Sequence, residues 1–224
     1  MSKKRMAVLF DLDGTLVDTA PDFILAANEL RAALGWPPLP GATIAAQVSN
    51  GALAVTRVTY AIDAGHPSFE QRRQNLLDAY EKHLGAASML YAGLDVMLAQ
   101  LDVKGIPWGV VTNKPLRYAA PLMDRLALST NCATLVCPDH VAERKPHPEG
   151  LLLAAKQMGM AAEDCIYAGD HLRDIEAGRA ANMHTIAAAF GYIAPDDDPL
   201  RWEADAIAET SVALCEIVLQ GVQG

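Results

Sequence analysis

The four cysteines, Cys132, Cys137, Cys165 and Cys215, form no C-x-x-C pair. That argues against a disulfide framework or a zinc site, and buried free thiols are expected. Positive charge is also scarce: 18 Lys and Arg stand against 27 Asp and Glu, a formal net charge of -9. With no Lys/Arg stripe to offset that balance, nucleic acid is not an expected partner. Any anionic ligand would need cations supplied locally. No apolar run approaches the length of a membrane span, so no membrane partner is expected either. The opening residues 1–6 are basic, but the apolar run after them stops at Asp11, too soon for a signal-peptide core, and a cytoplasmic setting is expected. There is no G-x-S-x-G elbow, G-x-x-x-x-G-K-[ST] loop or dinucleotide fingerprint, so serine-hydrolase and nucleotide-dependent chemistries lack their key parts. His66, His83, His140 and His184 show no metal-ligand spacing.

What is present is an ordinary soluble composition, 51% apolar and 20% charged over 224 residues, long enough for a substantial core. Short apolar runs recur at 7–10, 108–111, 133–136, 165–168 and 184–187. Helix-like stretches at 94–103, 116–126, 148–158 and 172–181 lie between the later ones. This alternation predicts βαβ units around a parallel sheet. The stretch 16–89 interrupts the rhythm with helical signatures near 22–34, 52–61 and 69–83, a strong breaker at 35–41, and no convincing strand. The expected fold is α/β: a doubly wound, Rossmann-like parallel sheet core (1–15 and 90–224) with an inserted helical cap domain (16–89).

Chemistry concentrates at a few strand ends. Asp11-Leu12-Asp13-Gly14-Thr15 follows the first apolar run. In an extended segment its two carboxylates share a side and face the crevice where parallel sheets bind ligands. D-x-D-G also suits a plain turn. Paired carboxylates beside a phosphate dianion repel, and a hard divalent cation with oxygen ligands resolves that conflict. Gly169-Asp170 follows another buried run, and Asp174 lies one helical turn on. Thr112 and Asn113 end the second run, where a hydroxyl and backbone amides suit phosphoryl oxygens. Lys145 sits in the proline-flanked loop Arg144-Lys145-Pro146-His147-Pro148, offering a point charge for phosphate and for a carboxylate nucleophile. His171 adjoins Asp170 and either reaches substrate or the metal's outer shell or serves as a helix-start or solvent-exposed residue, and Asp196-Asp197-Asp198 between Pro195 and Pro199 reads as a solvated turn.

Four such elements in this order resemble the haloacid dehalogenase superfamily, specifically its phosphatase branch. The resemblance implies Asp11 as nucleophile forming an aspartyl-phosphate, and Asp13 as acid and then base. It further implies Thr112 and Lys145 as phosphoryl-neutralising groups, with Mg²⁺ held by Asp11, the Asp13 carbonyl and Asp170, supported by Asp174. Halide leaves without a proton, so an acid at position 13 favours phosphoryl transfer over dehalogenation.

The helical insertion is similar to the small cap of the phosphoglycolate phosphatase group. There Asn50, Gly51 and Arg57 occupy the place of a G-N-G-type turn followed by an arginine, with Ser49 replacing the first glycine. These three, with Asn113, are the expected substrate contacts; Arg57 could equally be a solvated surface charge. The segments 11–22, 109–117, 137–141 and 190–193 resemble a narrower group, the N-acetylmuramic acid 6-phosphate phosphatases of peptidoglycan recycling. The expected partner is a small phosphate monoester, either that sugar phosphate or 2-phosphoglycolate, met by a monomer or homodimer. A phosphosugar mutase and a non-catalytic phospho-ligand-binding module are the remaining alternatives. Asp11→Asn is expected to abolish turnover while leaving the fold intact, because the amide is nearly isosteric but a poor nucleophile. Turnover at the parent rate in that variant would remove Asp11 from the role.

Overall fold

A computed structural model describes residues 6–194 and 196–222. The basic opening at 1–5 and Pro195 lie outside the described residues. The chain divides into two compact units: one runs to Val17 and resumes at Leu90, and the other is Asp18–Met89.

In the larger unit the first strand, β1 (Ala7–Phe10), is fully buried. Alternate side chains point to opposite faces, so a strand without a polar position must be covered on both sides. The two-residue strands β2 (Val17–Asp18) and β3 (Met89–Leu90) pair with each other where the chain leaves and re-enters the unit. They are differences from the sequence reading, which has no strand between 16 and 89; two residues are too few to show a period. The other strands are β4 (Trp108–Val111), β5 (Thr134–Val136), β6 (Cys165–Gly169), β7 (His184–Ala188) and β8 (Ala206–Ala208). With β1 they form a six-stranded sheet in the order β5-β4-β1-β6-β7-β8, and every pairing is parallel. The chain moves outward from β1 through β4 to β5, then returns to β6 on the other flank. β1 therefore sits where the strand order reverses, and ligands bind beyond the carboxyl ends at such a point. Register sharpens this: Phe10 stands opposite both Val110 and Ala168, so the residues just past three adjacent strands emerge side by side.

Ala7 and Leu9 pack into a cluster with Leu151, Ala154 and Tyr167. Beyond Ala208 the chain forms a further helix at Ser211–Gly221; neither β8 nor this helix has a counterpart in the sequence reading. Cys137, Cys165 and Cys215 are buried and Cys132 is half-buried, all as free thiols. No helix among the described residues is long and apolar enough to cross a membrane.

The smaller unit is helical: α1 (Ala20–Ala33), α2 (Gly41–Ala45), α3 (Gly51–Tyr60) and α4 (Phe69–His83). Phe23 of α1 stacks on Tyr80 of α4 with ring centroids 3.9 Å apart. Buried Arg31 donates to Pro37 O at 2.7 Å and Thr59 O at 2.8 Å, tying the 35–40 breaker and the end of α3 to α1. Asp22, fully buried in the first turn of α1, accepts from the amides of Gly85, Ala87 and Ser88 at 2.6, 2.8 and 3.2 Å and from the Ser88 hydroxyl. One carboxylate thus closes the unit by joining its first helix to its last loop. Asp22→Ala would strand these donors, and a loss of about 3 kcal/mol or more is expected in urea or thermal unfolding; an unchanged midpoint would show that water replaces the carboxylate without cost.

Candidate active site

Asp11 follows β1, and its amide donates to Ala168 O at 2.8 Å, which fixes the residue to the end of β6. Beyond it the chain turns. Gly14 adopts φ +85° and donates to Val17 O at 2.9 Å, while Val17 N donates to Leu12 O at 2.9 Å. The extended segment expected at 11–13 is therefore a tight turn, because a left-handed glycine lets the backbone close on itself. The two carboxylates consequently meet different cations. Asp11 Oδ1 lies 2.9 Å from Lys145 Nζ, and Asp13 Oδ1 lies 2.8 Å from Lys114 Nζ.

Thr112 follows β4, donates its amide to Val136 O at 3.0 Å, and accepts at Oγ1 from Lys114 N at 3.1 Å. Asn113, expected as a substrate contact, directs Nδ2 to Lys145 O at 3.0 Å. Lys145 arrives from the loop ahead of the helix Glu149–Gln157. Besides Asp11, its ammonium meets Asp174 Oδ1 at 2.7 Å, Val111 O at 2.9 Å and Tyr167 Oη at 2.7 Å.

Asp170 follows β6, and its two oxygens accept from Thr15 Oγ1 at 3.3 Å and from Tyr192 N at 2.8 Å. A Cβ on Gly191 would lie 2.3 Å from Asp170 Cβ and 2.5 Å from Gly14 O. Only glycine lets the 190–193 loop approach closely enough for that amide to reach the carboxylate. The cap of the next helix, Leu172–Ala180, is His171 and not Asp170: His171 Nδ1 accepts from Arg173 N at 3.3 Å. Burial and the nearby Arg173 charge hold His171 below its usual pKa, so the ring stays neutral and able to accept. Asp174 completes the cap by accepting from His171 N at 3.1 Å through Oδ2, leaving Oδ1 for Lys145.

Asp11, Asp170 and Asp174 are all buried, with ligand oxygens within 4.8 Å of one another. Burial raises the Asp11 pKa from 3.8 to about 6, with the Asp174 and Asp13 charges adding to it and Lys145 opposing. Burial and the Asp11 and Asp174 charges push Asp170 from 3.8 to about 8. Burial alone would lower Lys145, but its two carboxylate neighbours outweigh it and the pKa is raised. One ammonium against three buried carboxylates is an excess of negative charge. An all-oxygen donor set of this kind fits a hard divalent cation.

Asn50, Gly51 and Arg57 belong to the smaller unit, Asn50 and Arg57 exposed and Gly51 opening α3 with φ +75°. The other expected site residues, Asp11, Asp13, Thr112, Asn113, Lys145, Asp170 and Asp174, are all in the larger unit. Lys114, Tyr167, Thr15 and the Tyr192 amide also contact the cluster and had not been expected. Lys114 gives a visible signal, a basic residue two places after Thr112, and Tyr167 is a hydroxyl in an otherwise apolar strand. A backbone amide such as that of Tyr192 leaves no trace in composition.

A carboxylate whose pKa is raised on folding favours its protonated form in the native state. That contribution is present at low pH and is lost as pH rises through about 6 for Asp11 and about 8 for Asp170. The metal-free chain should accordingly melt at lower temperature at about pH 9 than at about pH 5, and added Mg²⁺ should raise the midpoint more at the higher pH. An equal Mg²⁺ effect at both would point away from these carboxylates as the cation site.

Residues 8–188 match the family model described as haloacid dehalogenase-like hydrolase. The chain is 44% identical over 219 residues to an N-acetylmuramic acid 6-phosphate phosphatase of Pseudomonas aeruginosa, covering 97% of each protein. It is also 44% identical over 211 residues to a phosphoglycolate phosphatase of Xanthomonas campestris, covering 94% of this chain and 95% of that one. Among solved structures, a predicted phosphoglycolate phosphatase from Haemophilus somnus superposes with a TM-score of 0.82 at 22% identity, over 97% of this chain and 100% of the other. The chain belongs to the haloacid dehalogenase-like hydrolase family.

Proposed function

We propose that this chain is a Mg²⁺-dependent phosphomonoesterase that hydrolyses N-acetylmuramic acid 6-phosphate, a step of peptidoglycan recycling in the cytoplasm. The observation that carries the chemistry is the Asp11 carboxylate at the end of β1, with Lys145 Nζ at 2.9 Å and, on the same turn, Asp13 paired with Lys114 from the segment after β4. The near full-length similarity to the Pseudomonas enzyme supports the substrate.

In the proposed reaction an Asp11 oxygen attacks phosphorus, the ester P–O bond breaks, and Asp13 gives its proton to the departing sugar oxygen. The Asp13 carboxylate then takes a proton from water, whose oxygen attacks the aspartyl-phosphate. The bond to Asp11 breaks, inorganic phosphate leaves, and both carboxyl groups return to their starting states. Lys114 keeps Asp13 in one orientation, while Lys145 and the Thr112 hydroxyl face charge that builds on the phosphoryl oxygens. Asp11, Asp170 and the Asp13 carbonyl would hold Mg²⁺, with Asp174 in support. The ion's chemistry there is to neutralise the phosphoryl group beside the acidic cluster. The smaller unit, as the cap, is assigned substrate choice. Its Arg57 guanidinium suits the lactyl carboxylate of this sugar, and Asn50 and Gly51 are its neighbours in that role.

2-Phosphoglycolate is the second reading, favoured by the equally identical Xanthomonas protein. Phosphate release with Mg²⁺ from the two compounds, with an EDTA control, separates them. A kcat/KM preference of about a hundredfold for the sugar phosphate, about 3 kcal/mol of transition-state discrimination, is expected. The reverse preference would assign the chain to 2-phosphoglycolate, and release that survives EDTA would exclude the metal requirement.

A further inference from the structure

Tyr167 takes no part in the chemistry above, yet its hydroxyl lies among the reacting groups. It sits in β6, a strand otherwise of Cys, Ile, Ala and Gly, three residues before Asp170. It belongs to the same core cluster as Leu9, Val111, Val136 and Leu151, and the residue is fully buried. The hydroxyl has three neighbours: Lys145 Nζ at 2.7 Å, Val111 O at 3.1 Å and Asp174 Oδ1 at 3.3 Å. Burial and the charges of Asp174 and Asp11 hold the phenol well above its usual pKa, so it keeps its proton.

Donor and acceptor capacity then orders the cluster. A carbonyl and a carboxylate only accept, so the phenol proton must go to Val111 O or Asp174 Oδ1. The phenol oxygen therefore accepts from Lys145. The ammonium has three protons and four oxygens within reach: Tyr167 Oη and Asp174 Oδ1 at 2.7 Å, Val111 O and Asp11 Oδ1 at 2.9 Å. Three of these belong to a frame formed by β4 and β6, the strands on either side of β1, and a capped helix. The fourth is the nucleophile itself.

We propose that Tyr167 is a positioning residue for Lys145: its hydroxyl, with Asp174 and the Val111 carbonyl, holds the ammonium from behind. Two N–H groups are shared among these three oxygens, which leaves one on the side of Asp11, whose Oδ1 is an ion-pair partner at 2.9 Å without a hydrogen bond, and available to the phosphoryl oxygen. The frame lets that single proton be exchanged between nucleophile and phosphoryl group without stripping the buried ammonium of its other bonds. Removing the hydroxyl still leaves Val111 O, Asp174 and Asp11 for three protons. A purely structural role therefore predicts little change in turnover, whereas an orienting role predicts a loss, because the ammonium is free to tilt.

This inference rests on the phosphatase reading, and a double-mutant cycle on full-length protein tests the two apart. Tyr167→Phe keeps the ring and should lower kcat about tenfold or more with KM within about twofold, while the thermal midpoint falls by only a few degrees. In a Lys145→Met background, followed in single turnover, the same substitution should have no further effect on the rate, since its target is gone. Wild-type kcat in Tyr167→Phe, a loss confined to KM, or an equal loss in both backgrounds would each overturn the positioning role while leaving the phosphatase intact. A parent chain that releases phosphate from neither N-acetylmuramic acid 6-phosphate nor 2-phosphoglycolate would overturn both.

Discussion

The Lys145 ammonium is buried between Asp11 and Asp174, 2.9 and 2.7 Å away, and much of the larger unit's design follows from keeping it there. An isolated buried charge is too costly to keep, and a buried pair is tolerated only when its remaining protons and lone pairs are met. On the lysine's side the Val111 carbonyl and Tyr167 accept from the ammonium and Asn113 holds its backbone, whereas Asp11 Oδ1 has the ion pair and no hydrogen bond, an unmet lone pair that suits a cation or a phosphoryl group. Removing either carboxylate would leave the ammonium under-compensated. Removing the ammonium would leave carboxylates crowded in the protein interior.

That crowding follows from topology. Three adjacent parallel strands end at one level, so the residues after β1, β4 and β6 share a small volume. Each strand is apolar until its last residue, then changes abruptly to Asp11, Thr112 or Asp170. The helix beginning at Leu172 adds Asp174 because its cap, His171, sets that carboxylate facing inward. The 190–193 loop adds a backbone donor to Asp170, permitted by the missing side chain at Gly191. The sheet therefore produces a site with surplus negative charge, where burial first and the neighbouring carboxylates second raise the Asp11 and Asp170 pKa values. The same surplus makes the cluster a fit for a divalent cation.

Much of this was legible in the chain. The apolar runs that end in acids mark strands and their chemical ends together, because burial on both faces excludes polar residues until the strand emerges. The helices near 69–83 and at 94–103 were legible, and the structure has them at Phe69–His83 and Leu94–Val103. The two-residue β2 and β3 were not, because a strand that short has no period. The 11–13 segment read as extended but is a turn, decided by hydrogen bonds between Gly14, Val17 and Leu12 that no residue pattern states. His171 caps the helix beginning at Leu172, because the strand carries Asp170 one residue too early to do so.

Which groups could serve the proposed chemistry was therefore determined by the sequence alone: acids at 11, 13, 170 and 174, a hydroxyl at 112 and a lysine at 145, each just past a strand, in a loop or in a helix's first turn. Which of them touch was decided only in three dimensions. The pairing of Lys114 with Asp13, of Lys145 with Asp174, and of Tyr167 with both members of the latter pair joins positions that lie 101, 29, 22 and 7 residues apart. Local propensity reaches only a few residues along a chain. Contacts at these separations exist because parallel strands bring their carboxyl ends together, and the shortage of cations among buried carboxylates then settles which partner each one takes.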